Sequence, residues 1–231
     1  MLSRLKVALG AALTVATLAT PAISAPLNAT FTIDIYNFDA GGNSNNTFAD
    51  AQNLVGRTIL DTITYEGTLD FRVATRNSPA GGTPSIQFFF DSAADQTGIT
   101  SSLNGVDLST VDLSSGDGSG TPSFRTTTIL DIRATIPLSF GGDIVHDDGI
   151  SVYDDGVLVT AVNSRQPTTE RTTSFFFDGG DFRLIYAAAN GDPSILEVAG
   201  PPPVIPLPPA GMLLIAGVGG LTLLTRRRKA T

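Results

Sequence analysis

The 231-residue chain contains no cysteine, no tryptophan and a single histidine, His146. The absence of cysteine excludes disulfide bonds and thiolate metal sites. The sequence also has no Gly-x-Ser-x-Gly segment, no zinc-ligand cluster and no phosphate-binding loop, which are the usual signatures of hydrolases, zinc enzymes and nucleotide-binding proteins. We therefore expect no enzymatic activity. His146 stands beside two carboxylates and is expected to be a strand-end residue.

Basic residues are scarce away from the two ends. Six of the 14 lysines and arginines lie at the ends, whereas all 22 acidic residues lie between Asp34 and Glu197. The eight basic residues left against 22 acidic ones give residues 25–199 a net charge of −14. Such a surface repels nucleic acid and anionic lipid, so no nucleic-acid partner is expected. Most of the acids are aspartates, which favour turns, but carboxylates are also ligands for calcium.

The N-terminus has the three parts of a secretory signal peptide. Arg4 and Lys6 precede the apolar run Val7–Leu18, which is followed by small residues up to Ala25. Cleavage after Ala25 would place Pro26 first in the mature chain, which signal peptidase disfavours. We therefore assign residues 1–24 to the signal peptide, with cleavage after Ala25 as the alternative.

The C-terminus combines a proline-rich spacer, an apolar segment and a basic end. The prolines of residues 200–209 fix φ and remove backbone donors, which predicts an extended spacer. Residues 210–225 carry no charge and predict a transmembrane helix, although a full span usually takes about 20 residues. Residues 226–231 are a basic cytoplasmic end, with the membrane stop formed by Arg226, Arg227, Arg228 and Lys229.

This tail resembles the C-terminal sorting domain of the PEP-CTERM class in its V-P-L-P-A variant. The resemblance is carried by the apolar run, the arginine cluster and the motif Pro206, Leu207, Pro208, Pro209, Ala210 and Gly211. Ile205 replaces the usual valine, and one proline is extra. The resemblance implies an exosortase-like processing enzyme as partner. It also implies export through the inner membrane, transient anchoring there by the helix, and a final location at the cell surface or outside the cell.

Residues 25–199 form the exported domain, for which the sequence predicts an all-β fold. Runs of β-branched and aromatic residues are separated by Gly, Asn, Asp, Ser and Pro. The predicted strands are Ala29–Phe38, Thr58–Thr64, Thr68–Ala74, Ser85–Phe90, Ser123–Ile136, Asp143–Val145, Gly149–Tyr153, Val157–Val162, Thr172–Phe177, Asp181–Ala187 and Ser194–Val198. Helical turns are expected only at Asp50–Val55 and Ala93–Gly98. Many short strands with frequent turns favour an antiparallel, jelly-roll-like β-sandwich.

One face of the longest predicted strand is expected to point into the core. It carries Thr126, Thr128, Leu130 and Ile132, and it is more apolar than the alternate face with Asp131 and Arg133.

Two turns of the type Asp-Asp-Gly, at Asp147–Gly149 and Asp154–Gly156, flank the run Ile150–Tyr153. Asp155-Gly156 predicts a tight β-hairpin, because glycine supplies the positive φ of such turns. A second hairpin is predicted within Phe175–Tyr186. From about Leu130 to Val198 this order resembles the second half of the anthrax-protective-antigen-type β-sandwich domain. The lack of tryptophan and the loop Ser114–Pro122 depart from that family.

The resemblance implies that Asp147 and Asp148 hold calcium, as the matching pair does in sugar-binding members, with Asn163 or Asn190 as possible further ligands. The alternative is that both aspartates only cap a turn, as is expected of Asp154 and Asp155. The sequence thus favours a calcium-dependent module that binds an extracellular polysaccharide. A purely structural matrix component, or a glycoside hydrolase with a carboxylate pair, stays open as an alternative.

Overall fold

The computed structural model describes residues 25–73, 84–116, 124–159, 170–191 and 193–201. The signal peptide 1–24, the sorting motif Pro206–Gly211, the transmembrane helix 210–225, the basic residues Arg226–Lys229 and Asn163 lie outside the described residues. Within the described residues, no helix has the length and apolar character needed to cross a membrane.

The described part of the chain consists mainly of strands. They are β1 Asn28–Asp39, β2 Asp61–Thr68, β3 Asp70–Val73, β4 Gln96–Ser102, β5 Thr126–Ile136, β6 Phe140–Asp147, β7 Gly149–Asp154, β8 Val157–Leu158, β9 Arg171–Phe177, β10 Gly180–Ala188 and β11 Ser194–Val198. Two short α-helices, α1 Ala51–Leu54 and α2 Ile86–Phe90, lie in the connections. The helical turn predicted at Asp50–Val55 is therefore confirmed.

The strands form two antiparallel sheets. The larger sheet has the order β4-β2-β1-β5-β10-β7-β8, and the smaller one has the order β3-β11-β6-β9. All pairs within both sheets are antiparallel. The prediction of an all-β, sandwich-like fold is confirmed.

The hydrophobic core lies between the two sheets and follows the period-2 alternation of the strands. Phe31, Ile33 and Ile35 of β1 are fully buried in it, beside Leu130 and Ile132 of β5. The predicted core face of β5 is thus confirmed. The opposite face of the sheet is also covered in part, because Leu54 of α1 packs over Ile129 and Ile185.

The prediction of a strand over Ser85–Phe90 is wrong, because this segment is helix α2. Ser85 caps the helix by accepting a hydrogen bond from Phe88 N at 3.1 Å. The buried residues Ile86, Phe89 and Phe90 have the i, i+3, i+4 spacing of a helical face. Phe89 stacks on Tyr186 of β10, with ring centroids 5.6 Å apart and an interplanar angle of 1°. Helix α2 therefore adds aromatic side chains to the core beside β3.

The helical turn predicted at Ala93–Gly98 is also wrong. Strand β4 begins at Gln96 and pairs with β2 at the edge of the larger sheet. The register of this pair shifts at Thr64/Tyr65 and at Glu66/Gly67. These bulges interrupt the alternation on which sequence prediction of a strand depends.

The predicted hairpin within Phe175–Tyr186 is wrong in its pairing. Strand β9 belongs to the smaller sheet, where it pairs with β6, whereas β10 pairs with β5 and β7 in the larger sheet. Gly179 and Gly180, with φ of 99° and 133°, form a corner between the sheets. By contrast, β7 and β8 form the predicted hairpin, with Asp155 at φ 46° and Gly156 at φ 80°.

The two ends of the domain lie side by side. Leu27 N donates to Val198 O at 2.7 Å, and Gly200 N donates to Ala25 O at 2.7 Å. A Cβ atom on Gly200 would lie 2.8 Å from Leu27 Cα, so the close approach requires glycine. The segment that leads to the tail is thereby held against the first residues of the domain.

Candidate functional site

The turn Asp147–Asp148 lies at one end of the sandwich, together with three other connections. In the larger sheet, the end of β1 pairs with the start of β5, and the end of β10 pairs with the starts of β5 and β7. The paired residues are Asp39↔Thr126, Thr128↔Ala188 and Ala187↔Gly149. The loops after β1, before β5 and after β10 therefore lie around the start of β7. We call this end of the sandwich the loop end.

Asp147 and Asp148 form a crossover from the smaller sheet to the larger one. Asp147 is the last residue of β6, and Gly149 is the first of β7. The peptide bond between the two aspartates is cis. Both residues are only 3% exposed. A turn residue is normally solvated, so two almost fully buried aspartates differ from ordinary turn caps.

The backbone of this turn is held by two buried side chains. His146 Nδ1 lies 2.7 Å from Asp148 O, and its Nε2 lies 2.8 Å from Thr173 Oγ1. Burial lowers the pKa of His146, while the hydrogen bond to the Asp148 carbonyl opposes this shift. A neutral imidazole that donates from Nδ1 and accepts at Nε2 satisfies both contacts. Tyr186 Oη donates to Asp147 O at 2.6 Å. The expected position of His146 at a strand end is confirmed.

The Asp148 carboxylate is buried without a cationic partner among the described residues. Its Oδ2 accepts a hydrogen bond from Ala189 N at 2.7 Å. Burial, and next the charge of Asp147, raise the pKa of Asp148 well above its usual value. Burial also raises the pKa of Asp147, against a hydrogen bond with Asp148 that lowers it. The ionisation of two adjacent buried carboxyl groups costs a large free energy unless a cation lies between them.

Asn190 brings an amide group to the same carboxylate. In one orientation of this amide, Nδ2 donates to Asp148 Oδ1 at 3.1 Å and to Oδ2 at 3.3 Å. In the other orientation, Asn190 Oδ1 faces the carboxylate, so this oxygen and the two carboxylate oxygens of Asp148 converge. The first orientation suits a site without a cation, and the second suits a site that holds one.

The loop that carries Asn190 is anchored to the loop that precedes β5. Ser114 is fully buried, and its Oγ accepts a hydrogen bond from Gly191 N at 3.2 Å. Ala189 packs with Phe124 and Ala40 in a small apolar cluster. The position of Asn190 is therefore fixed by packing on both sides.

The residues of this site partly fit a calcium ion. Asp147, Asp148 and Asn190 offer hard oxygen ligands, whereas calcium takes six to eight of them. Among the residues that the structure describes, no group of three or more His, Asp or Glu side chains is placed to hold a metal. The remaining ligands would have to come from water, backbone carbonyls or a bound molecule. Asp154 and Asp155 lie at the other end of β7 and belong to the hairpin turn, as expected.

Sequence reasoning missed the residues that hold the aspartates in place. The contacts of Tyr186 with Asp147 and of Ala189 with Asp148 join residues about 40 positions apart. No spacing in the sequence indicates them. Asn190, by contrast, was predicted as one of two candidate further ligands, and it lies at Asp148.

Comparison with known proteins gives no family assignment. No family model matches the chain, and no curated protein matches it. Among solved structures, the PA14 sugar-binding domain from an RTX adhesin matches with a TM-score of 0.43 and 14% identity, over 74% of this chain and 88% of that one. The PA14 domain of the MpAFP antifreeze protein matches with a TM-score of 0.45 and 13% identity, over 76% of this chain and 85% of that one. Both likenesses are too distant to transfer a function to this chain.

Proposed function

We propose that this protein is a non-catalytic, exported surface module that binds carbohydrate through calcium held at Asp147, Asp148 and Asn190. The observation that carries the proposal is the burial of the Asp148 carboxylate beside a second carboxylate and an amide, with a raised pKa. A calcium ion there would neutralise both carboxylates. It would also supply coordination positions for neighbouring hydroxyl groups of a sugar.

The acidic surface of the domain supports the choice of a neutral polyhydroxyl ligand. Residues 25–199 carry no lysine and a net charge of −14. An anionic polymer would be repelled at long range. A neutral sugar is not repelled, and its hydroxyl oxygens can replace water on a bound hard cation.

Calorimetric titration of the full-length protein with calcium tests the metal site. We expect saturable binding with one ion per chain, which the variant Asp148→Asn loses and the variant Asp178→Asn keeps. Asp178 is a matched control, because it is an aspartate at the opposite end of the sandwich. The absence of calcium binding in the wild type, or unchanged binding in Asp148→Asn, would exclude this function.

A glycan array tests the carbohydrate part. We expect binding to neutral glycans in the presence of calcium and its loss in chelator. An array that stays silent under both conditions would favour the purely structural role. Hydrolysis of a polysaccharide that depends on one carboxylate would favour the glycosidase.

We also propose that the tail is a sorting signal that an exosortase-like enzyme removes. The motif Pro206–Gly211, the apolar segment 210–225 and the basic residues Arg226–Lys229 support it. Mass spectrometry of the surface protein is expected to find a C-terminus upstream of Arg226. An intact Arg226–Lys229 on the mature protein would exclude processing.

A further inference from the structure

A second surface feature lies at the end of the sandwich opposite to the loop end. It is a groove of about 520 Å³ lined by Asp154, Asp155, Val157, Leu158, Val159, Phe176 and Asp178. We call it the apolar groove. Strand β7 lies between the groove and Asp148. It has six residues, and a strand rises about 3.3 Å per residue, so the two sites are roughly 20 Å apart.

The groove exposes two large apolar side chains outside the core, Val157 and Phe176, whereas Val159 packs in part against the core. Phe175 and Phe177 of β9 point into the core, so the alternation turns Phe176 outward. Phe176 is 57% exposed, and Val157 is 70% exposed. Contiguous exposed apolar side chains of this kind mark interaction surfaces more often than single ones do.

Three carboxylates, those of Asp154, Asp155 and Asp178, border these apolar side chains. Asp154 Oδ2 accepts from Asp178 N at 2.8 Å, while Asp154 Oδ1 is shielded from solvent and has no hydrogen-bond partner within the described residues. Asp155 Oδ1 accepts from Asp181 N at 2.7 Å. Among the described residues, the lining of the groove includes no lysine, arginine or histidine.

Close packing and hydrogen bonds connect the turns at the border of the groove. Asp155 packs against the Cα of Gly180, where a side chain would have no room. A Cβ atom on Gly179 would lie 3.3 Å from the backbone of Pro137 and Leu138. The hydrogen bonds from Asp178 N to Asp154 and from Asp181 N to Asp155 join the two turns, so these two carboxylates have fixed partners before any ligand binds.

We propose that the apolar groove binds a segment of a protein partner in which an aliphatic or aromatic side chain is flanked by lysine or arginine. Val157, Leu158, Val159 and Phe176 would bury the apolar side chain. The three aspartates would pair with the cationic ones. A neutral sugar fits less well, because its hydroxyl groups would face four apolar side chains without hydrogen-bond partners.

Fluorescence anisotropy with a labelled nonapeptide, Gly-Lys-Leu-Lys-Val-Lys-Leu-Lys-Gly, tests this proposal on the full-length protein at about 0.15 M salt. Two comparison peptides replace every lysine by glutamate, or every Leu and Val by serine. Phe176→Thr is expected to weaken binding about tenfold, since it removes apolar contact area. Asp178→Asn is expected to weaken it about threefold to fivefold, as for the loss of one ion pair.

Two variants serve as controls. Asp95→Asn removes an exposed charge beside β4, at the far edge of the larger sheet, and Asp39→Asn removes an exposed charge at the loop end. Both should keep the wild-type dissociation constant, and chelator should not change it. The proposal is overturned by an equal loss of binding in Asp95→Asn and Asp178→Asn, by equal binding of the serine peptide, or by no binding up to about 1 mM. Circular dichroism and thermal melts verify that each variant is folded.

Discussion

Replacing Asp148 with asparagine is expected to stabilise the calcium-free protein and to abolish its response to calcium. Burial and the charge of Asp147 raise the pKa of Asp148 in the folded state. The unfolded value is about 3.9. The contribution of Asp148 to stability is therefore fully present below pH 3.9 and is lost as the pH rises toward the folded pKa. Asparagine cannot ionise, and its Oδ1 can still accept the hydrogen bond of Ala189 N.

The size of the calcium effect follows from linkage between binding and folding. Extracellular calcium modules bind with dissociation constants of about 10⁻⁴ to 10⁻³ M. At about 10 mM calcium, such an affinity stabilises the folded state by roughly 1.4 to 2.7 kcal/mol. For a domain of 150–250 residues, about 2–4 °C corresponds to 1 kcal/mol. The wild type should therefore melt about 3–11 °C higher with calcium than in chelator.

Differential scanning calorimetry of the wild type and of Asp148→Asn at pH 7, with calcium and with chelator, measures both effects. The variant should melt above the wild type in chelator and should show no shift with calcium. Asp178→Asn, the control, should show the wild-type shift. A lower melting temperature of Asp148→Asn in chelator would refute the electrostatic argument, and a calcium shift of wild-type size in this variant would refute the site.

Two further predictions concern the stability of the fold. Asp61 is fully buried; burial would raise its pKa, but hydrogen bonds from Ser102 Oγ and three backbone N–H groups outweigh burial and lower it. Asp61→Asn should lower the free energy of unfolding by about 1–3 kcal/mol at pH 7, and by less at pH 3. The reason is that a group with a lowered folded pKa stabilises the fold above its unfolded pKa and not below it. Urea titrations that show equal losses at both pH values would contradict this. Gly142→Val should lower the free energy of unfolding by about 1–3 kcal/mol, because its Cβ would lie 2.9 Å from Ala199 O. Gly141→Val should leave the stability almost unchanged, because its Cβ would face the exposed side chain of Phe176 at 3.4 Å. Equal melting temperatures of these two variants would show that the close approach at Gly142 is not required.

Local sequence signals predicted the parts of the fold that depend on neighbouring residues. The Asp155-Gly156 turn was predicted correctly because both central residues adopt positive φ, which these residue types tolerate. The segment Ser85–Phe90 was predicted as a strand because of its three phenylalanines. Its capping serine and the helical spacing of Ile86, Phe89 and Phe90 carried the contrary signal.

Features that depend on contacts between distant parts of the chain could not be predicted from the sequence. Whether β9 pairs with β10 or with β6 depends on which sheet each strand joins, and a short Gly-rich connection allows both. The pair Asp147 and Asp148 was identified from its turn pattern, but its burial results from packing against Tyr186 and Ala189. Of the two asparagines considered as further ligands, Asn190 lies at the site, and Asn163 lies outside the described residues.

A crystal structure of the protein grown with calcium tests the central proposal most directly. The account predicts an ion at about 2.3–2.6 Å from carboxylate oxygens of Asp147 and Asp148, with Asn190 turned so that Oδ1 is a ligand. A structure at saturating calcium in which Asn190 Nδ2 instead donates to Asp148, with no ion between them, would contradict it.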